Sequence, residues 1–309
     1  MSISLRCLLF KEETYMLFSE QLAQYILSGI STGAIYAMIG LGFAIIYNST
    51  SIINFAQGEF VMLGGMLSFF FQTSLKLPMG LSIVLAIVAA TFAGALFERL
   101  AIRPLKSASP LSMVIITIGG SILIRGIAML IWGKDTHSVP SFSGDDPISL
   151  AGATILPQHL WIFGLTIVAI TANKLFFSYT ITGKAMRACA CNRKASSLVG
   201  IDVNRMVLFS FIISSAMGAM AGIIIAPLTM TSYDVGIMLG LKGFCAAIIG
   251  GMSSGFGTVL GGLILGILES LGAGLISSGY KDAIAFIILL IILFVRPQGI
   301  FKKADTERV

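Results

Sequence analysis

The sequence predicts an all-α fold, a polytopic transmembrane helix bundle of about 8–9 membrane segments with one short or broken segment in the second half. Three observations predict it. The 309 residues are 56% hydrophobic and 11% charged, where soluble domains carry about 25% charged residues, and the mean hydropathy is +0.96. Apolar runs close to the roughly 20 residues that cross a bilayer recur along the whole chain. Glycine supplies 34 residues, many at four-residue spacing, which lets helix backbones approach closely.

Taken in order, candidate spans lie near 21–47, 52–72, 79–97, 111–132, 160–178, 206–226, 241–252, 257–277 and 283–296. The seventh is the short one. Residues 1–20 form an N-terminal extension with Lys11, Glu12 and Glu13 interrupting its apolar run, so no cleaved signal is read there, and Met16 offers an alternative start. The membrane domain covers 21–301, and 302–309 is a short polar tail.

The net charge of +6 sits in particular loops rather than on one basic face, which argues for membrane orientation and against nucleic acid. Arg99, Arg103 and Lys106 follow the third span. Lys184, Arg187, Arg193, Lys194 and Arg205 follow the fifth, and Arg296, Lys302, Lys303 and Arg308 follow the last. Alternating crossings put all three on one side, which the positive-inside rule makes cytoplasmic together with the C-terminus. The opposite loops carry Lys76, Lys134 and Lys281, and the longest, 133–159, holds both histidines.

Glycine pairs fall at 29 and 33, 218 and 222, 236 and 240, 257 and 261, and 262 and 266. Each is read as helix packing. A short echo links Gly58-Glu-Phe-Val-Met-Leu-Gly-Gly65 with Gly255-Phe-Gly-Thr-Val-Leu-Gly-Gly262. It nominates the second, seventh and eighth spans as central, with a break near 250–257.

Several chemistries are excluded by what is missing. Cys7, Cys189, Cys191 and Cys245 suggest neither a disulfide framework nor a zinc site. Gly251-Met-Ser-Ser-Gly255 matches a nucleophile elbow only formally, because its flanks are membrane segments and both histidines lie in the opposite loop. The chain has no phosphate-binding loop and no His-Glu-x-x-His. Neither an ATPase nor a protease site is read, and no cofactor or metal is expected.

Polar groups at membrane depth cost about 2.5 to 3.5 kcal/mol each on insertion scales, so they face a pathway or a protein partner. Asn54, Gln57, Gly58 and Glu59 are therefore the translocation-path candidates. Asn54, Gln57, Gly58, Val61 and Gly65 would share one helix face, with Glu59 on another. Path lining is the first reading for Asn54 and Gln57, helix-helix bonding for Glu59. Arg125 and Glu269 are also ionisable at depth, and pairing with each other is one way to make both tolerable. Lys174 lies close enough to the inner end of its span to snorkel.

In the inner loop from Gly183 to Asp202, bases interleave with alanine and serine, suggesting a short helix that Gly200 ends. Its role as a partner grip or a headgroup-resting helix stays open on these grounds.

Several ordered motifs give the chain a family resemblance from about Gln21 to Phe301. They are Gly33-Ala-Ile-Tyr-Ala-Met-Ile-Gly-Leu-Gly42, Ile53-Asn-Phe-Ala-Gln-Gly-Glu59, Glu98-Arg-Leu-Ala-Ile-Arg-Pro104, the stretch Gly183 to Asp202, Gly240-Leu-Lys-Gly-Phe-Cys-Ala-Ala-Ile-Ile-Gly-Gly251 and Arg296-Pro-Gln-Gly299. In these it resembles the permease subunits of branched-chain amino acid ABC importers. The resemblance implies a bacterial inner-membrane protein that pairs with a second homologous permease and receives substrate from a periplasmic binding protein. Two cytoplasmic ATP-binding subunits would drive it by alternating access. Ala195, Ser196, Ser197, Leu198 and Gly200 would then belong to the ATPase-coupling helix, where Cys191 and Asn192 stand in place of the family's usual acidic residue. The implied cargo is a branched-chain or related amino acid, an amide or urea. The competing expectation is a stand-alone secondary transporter using Glu59, Glu269 or Arg125 to carry ions or protons.

Overall fold

The computed structural model describes residues 3–105, 109–150, 153–296 and 299–301. The tail at 302–309 and Lys106 lie outside them. The described chain is a helix bundle with one small hairpin. In order it contains α1 (Ile3–Thr50), α2 (Gln57–Phe69), α3 (Met79–Phe97), α4 (Pro110–Trp132), β1 (Ile148–Leu150), β2 (Ala153–Ile155), α5 (Pro157–Tyr179), α6 (Ile181–Cys191), α7 (Arg193–Leu198), α8 (Val203–Thr229), α9 (Val235–Gly250), α10 (Gly255–Leu275) and α11 (Lys281–Val295). Seven helices are long and apolar enough to cross a membrane, and α9 is a shorter apolar helix. The protein is a multi-pass membrane protein.

The helices divide into centre and periphery. The most apolar stretch of α1 is 89% buried inside the bundle, against 11% for α4 and 6% for α11. A helix apolar all round belongs either in a core or against lipid. Here α1, α2 and α8 take the core, while α4 turns Leu111, Leu123 and Leu130 outward.

Small residues set this arrangement. Along α1 and α10, which run antiparallel, a Cβ on Gly33 would lie 2.8 Å from the Gly262 carbonyl oxygen and one on Gly29 2.7 Å from the Ile267 Cα. Gly222 of α8 abuts the Val61 carbonyl of α2, Gly58 of α2 abuts Gly236 of α9, and Gly257 of α10 abuts Gly250 of α9. The five glycine pairs thus line the seams that bring α1, α2, α8, α9 and α10 together, because in lipid the association of helices depends on such close packing.

Two spans differ from their sequence limits. The helical part of 52–72 begins only at Gln57, since Ser51 adopts a left-handed φ of 58° after α1 and residues 52–54 belong to no regular element. The short span is the helix Val235–Gly250, beginning before 241 and ending where Gly251 turns to φ 93°. That turn and Met252 to Ser254 are the break before α10.

The ends of the helices sort into two groups. At one end, Ile46 near the close of α1, Ile102 just past α3 and Val207 near the start of α8 pack in one cluster. Ile300 donates its N–H to the Ile249 carbonyl there at 2.9 Å. At the other end, His137 stacks on Phe69 with centroids 4.2 Å apart and bridges Thr231 by paired 2.8 Å backbone bonds. The 133–156 connection is thereby fastened to the bundle, and Gln158 adds bonds to the Phe142 N–H and to the Ile224 carbonyl.

Candidate functional site

The non-helical stretch 51–56 is the point from which the candidate site is built. Unpaired backbone at membrane depth is tolerated only when protein supplies its partners. Asn54 supplies some of them: its Oδ1 accepts from the Ala56 N–H at 3.1 Å, and its carbonyl accepts from Gln57 at 3.2 Å. Thr117 of α4 accepts from the Phe55 N–H at 3.2 Å. Asn54 therefore lies in the turn before α2 rather than on its face, and the helical spacing from Asn54 to Gly65 does not apply.

Gln57 also departs from the path-lining reading. It is 0% exposed, its Nε2 donates to the Ser214 carbonyl at 3.0 Å, and its Oε1 accepts from the Ser214 hydroxyl at 2.6 Å. The missing side chain at Gly42 leaves the room its amide occupies. Gln57 ties α2 to α8 across α1, because a buried amide is best satisfied by neighbouring backbone. Gly58 is filled by α9 on its open side and presents no side chain to a path.

Glu59 is the path candidate that reaches a cavity. A space of about 260 Å³ opens among α1, α2, α4 and α9, lined by Glu59, Ser121, Arg125, Phe43, Phe55 and Phe244 among others. Glu59 Oε1 accepts from the Ser121 hydroxyl at 2.7 Å, whereas its Oε2 is buried without a hydrogen-bond partner among the described residues. Phe244 packs against both Phe43 and Phe55, with centroids 5.7 and 5.5 Å apart. The result is an apolar pocket carrying one acid and one base.

Arg125 and Glu269 do not meet. Glu269 of α10 is held by Lys242 of α9 at 2.8 Å, by Lys281 at 3.4 Å and by the Tyr36 hydroxyl of α1 at 3.1 Å. Lys242 also reaches Asp282 of α11 at 2.6 Å. Arg125, on the far side of α9, shares the Glu59 cavity instead. Lys242 escaped sequence reasoning because its charge is averaged away within an apolar helix. Its place in Gly240-Leu-Lys-Gly243, between close-packing glycines, was the available signal.

Residues 25–293 match the family described as branched-chain amino acid transport system, permease component. The chain belongs to this permease family. It is 34% identical to the high-affinity branched-chain amino acid transport system permease protein LivH of Escherichia coli strain K12, over 96% of this chain and 99% of LivH. It is 33% identical to the corresponding protein BraD of Pseudomonas aeruginosa, over 93% of this chain and 97% of BraD. A probable LivH permease of Methanocaldococcus jannaschii is 25% identical over 85% and 87%.

In this permease the segment 183–202 forms parts of two short helices rather than one. Thr180 caps α6 by accepting from Gly183 at 2.9 Å, and Asn192 caps α7 by accepting from Ala195 at 3.0 Å. Asn192 thus breaks the segment in two, as an N-cap residue must lie outside the helix it starts. Gly200 ends α7 at φ 88°. Ser196 faces inward and bonds to the Asn192 carbonyl at 2.8 Å, while Leu198 and Val199 are 87% and 77% exposed. Lys174 borders a second cavity of about 630 Å³ between the ends of α1 and α5, α6 and the start of α10.

Proposed function

We propose that the chain is the membrane-spanning permease component of an ABC importer for branched-chain amino acids. The observation that carries this reading is the end-to-end likeness to LivH and BraD, with nearly the full length of both proteins covered. The stand-alone secondary transporter is not favoured by those relatives. One permease domain covers 21–301, with an extension before it and a short tail after it. A second permease would complete the path, a binding protein would deliver substrate at the end bearing the 133–156 connection, and ATP-binding subunits would engage the other end. That latter end carries Arg99, Arg103, Lys184, Arg187, Arg193, Lys194 and Arg205, which supports a cytoplasmic placement for it and for the C-terminus.

Leu198 and Val199, apolar and exposed beside the α7 turn, suit a groove in an ATP-binding subunit. Ala195, Ser196, Ser197 and Gly200 shape the turn that presents them. ATP-driven closure of the motors would then pull α6 and α7 and shift the bundle about the path. The test is ATP hydrolysis by the reconstituted assembly with its binding protein. Stimulation by leucine, isoleucine or valine supports the reading. Stimulation by amides or urea alone would move the cargo elsewhere in the expected range, and leucine uptake driven by an ion gradient through this chain alone would overturn the ABC assignment.

A further inference from the structure

The pocket around Glu59 has an unusual balance. Glu59 is 1% exposed, yet among the described residues only one of its carboxylate oxygens is bonded, to Ser121. Arg125 lines the same cavity, and among the described residues no ion pair joins Arg125 to any acid. A buried charge left partly unpaired is costly. Two opposite charges that face one space without closing on each other leave that cost to be relieved by whatever enters the space.

We propose that this cavity binds the zwitterionic head of an amino acid in transit, its ammonium at the free oxygen of Glu59 and its carboxylate at Arg125, with its side chain against Phe43, Phe55 and Phe244. This rests on the importer reading. A zwitterion satisfies both charges at once, and Arg is suited to carboxylates by its planar fork of donors. A lone cation or anion satisfies only one, and a neutral amide or urea neither. The volume of about 260 Å³ lies below the usual 300 to 1,000 Å³ of pockets for larger ligands, which favours a single small solute. Gly236 and Gly240 of α9 also line it, and their lack of side chains lets α9 pack directly against Gly58 of α2 at its edge. The mouth lies between α4 and α9, where Ile122 and Ile237 are exposed and a second permease would close it from lipid. The site thus selects for amino acids after the binding protein has released its cargo.

The experiment is ATP-driven uptake of radiolabelled L-leucine by the complete importer in proteoliposomes, with basal ATP hydrolysis measured on the same samples. No leucine uptake by the unaltered complex overturns the importer reading on which the site rests. Given uptake, Glu59→Gln and Arg125→Gln are each expected to lower it about tenfold or more, the effect of losing a charge-assisted hydrogen bond, with uptake normalised to the amount of assembled complex. Glu59→Gln keeps an acceptor for Ser121, so its loss reports the charge. Uptake within about twofold of the unaltered protein in both neutral variants, on a scale where tenfold is 1.4 kcal/mol, overturns the site and leaves the importer standing. Should Glu59→Gln fail to assemble, Arg125 decides alone: Arg125→Lys recovering part of what Arg125→Gln loses supports the site, and equal rates in the two overturn it.

Discussion

Lys242 of α9 and Glu269 of α10 form an ion pair 2.8 Å long with 5% and 0% of their surfaces exposed. The pair is anchored on three sides, by Tyr36 from α1, by Asp282 at the start of α11 and by Lys281 beside it. Two acids and two bases balance, so four helices share one neutral polar knot. Breaking such a pair by removing one member is far costlier than replacing both.

Lys242→Met is accordingly expected to destabilise the permease by about 3 to 5 kcal/mol, since Glu269 would keep only Tyr36 and the half-exposed Lys281. Glu269→Gln should cost less, because Lys242 retains Asp282. The double change Lys242→Met with Glu269→Met should recover much of the loss. Thermal denaturation of the purified complex measures all three, and additive losses in the double variant would show that the pair does not act as a unit.

Gln57 and Gly42 should be coupled. A side chain at Gly42 would overlap the Gln57 amide, so Gly42→Ala is expected to cost about 1 to 3 kcal/mol through overpacking. Gln57→Ala should cost about 1 to 3 kcal/mol through lost bonds to Ser214. The double variant should be milder than their sum, because the new methyl group enters space the amide has left. The same melting assay gives the interaction energy.

The α2–α8 seam predicts a sharp contrast between glycines. Gly222→Ala would drive its Cβ into the Val61 carbonyl, whereas Gly126→Ala on α4 meets nothing within 4 Å. The first should lower the yield of monodisperse complex severely, as backbone cannot yield as a flexible side chain does. The second should change stability by no more than about 1 kcal/mol. Fluorescence-detected size exclusion of tagged variants separates the two outcomes.

Leu198→Asp should leave the chain folded and weaken retention of the ATP-binding subunits by about tenfold or more, the usual effect of losing an apolar anchor. Leu198 is 87% exposed, so its replacement removes little internal packing. Co-purification together with the melting temperature tests this, and unchanged retention would move the contact away from α7.

Orientation can be checked separately. A fluorescent protein fused after Val309 should fluoresce in cells if the basic end is cytoplasmic, and a fusion active only outside the cytoplasm would reverse the bundle.

What sequence made legible, and what it did not, follows from the range of the forces involved. The apolar runs were readable because hydropathy is a local sum, and the bundle they predicted is the one observed. The glycine pairs were readable as packing seams, though their partners were not. Gly200 was readable as the end of α7 because a left-handed residue is a local requirement, while the split at Asn192 depended on which of two caps the chain used. Glu59 stood out by its charge at depth. Its cavity did not, since Phe43, Arg125 and Phe244 come from three other helices.

The sequence by itself determined a polytopic helical membrane protein, its family and its uneven distribution of positive charge, all carried by composition and motifs along a single strand. Only the tertiary structure decided that Gln57 turns to Ser214, 157 residues away, that Glu269 chooses Lys242 over Arg125, and that Glu59 faces an open space. A polar group in a membrane must find a partner, but several helices could offer one. The choice is made by which backbones the glycines allow to touch.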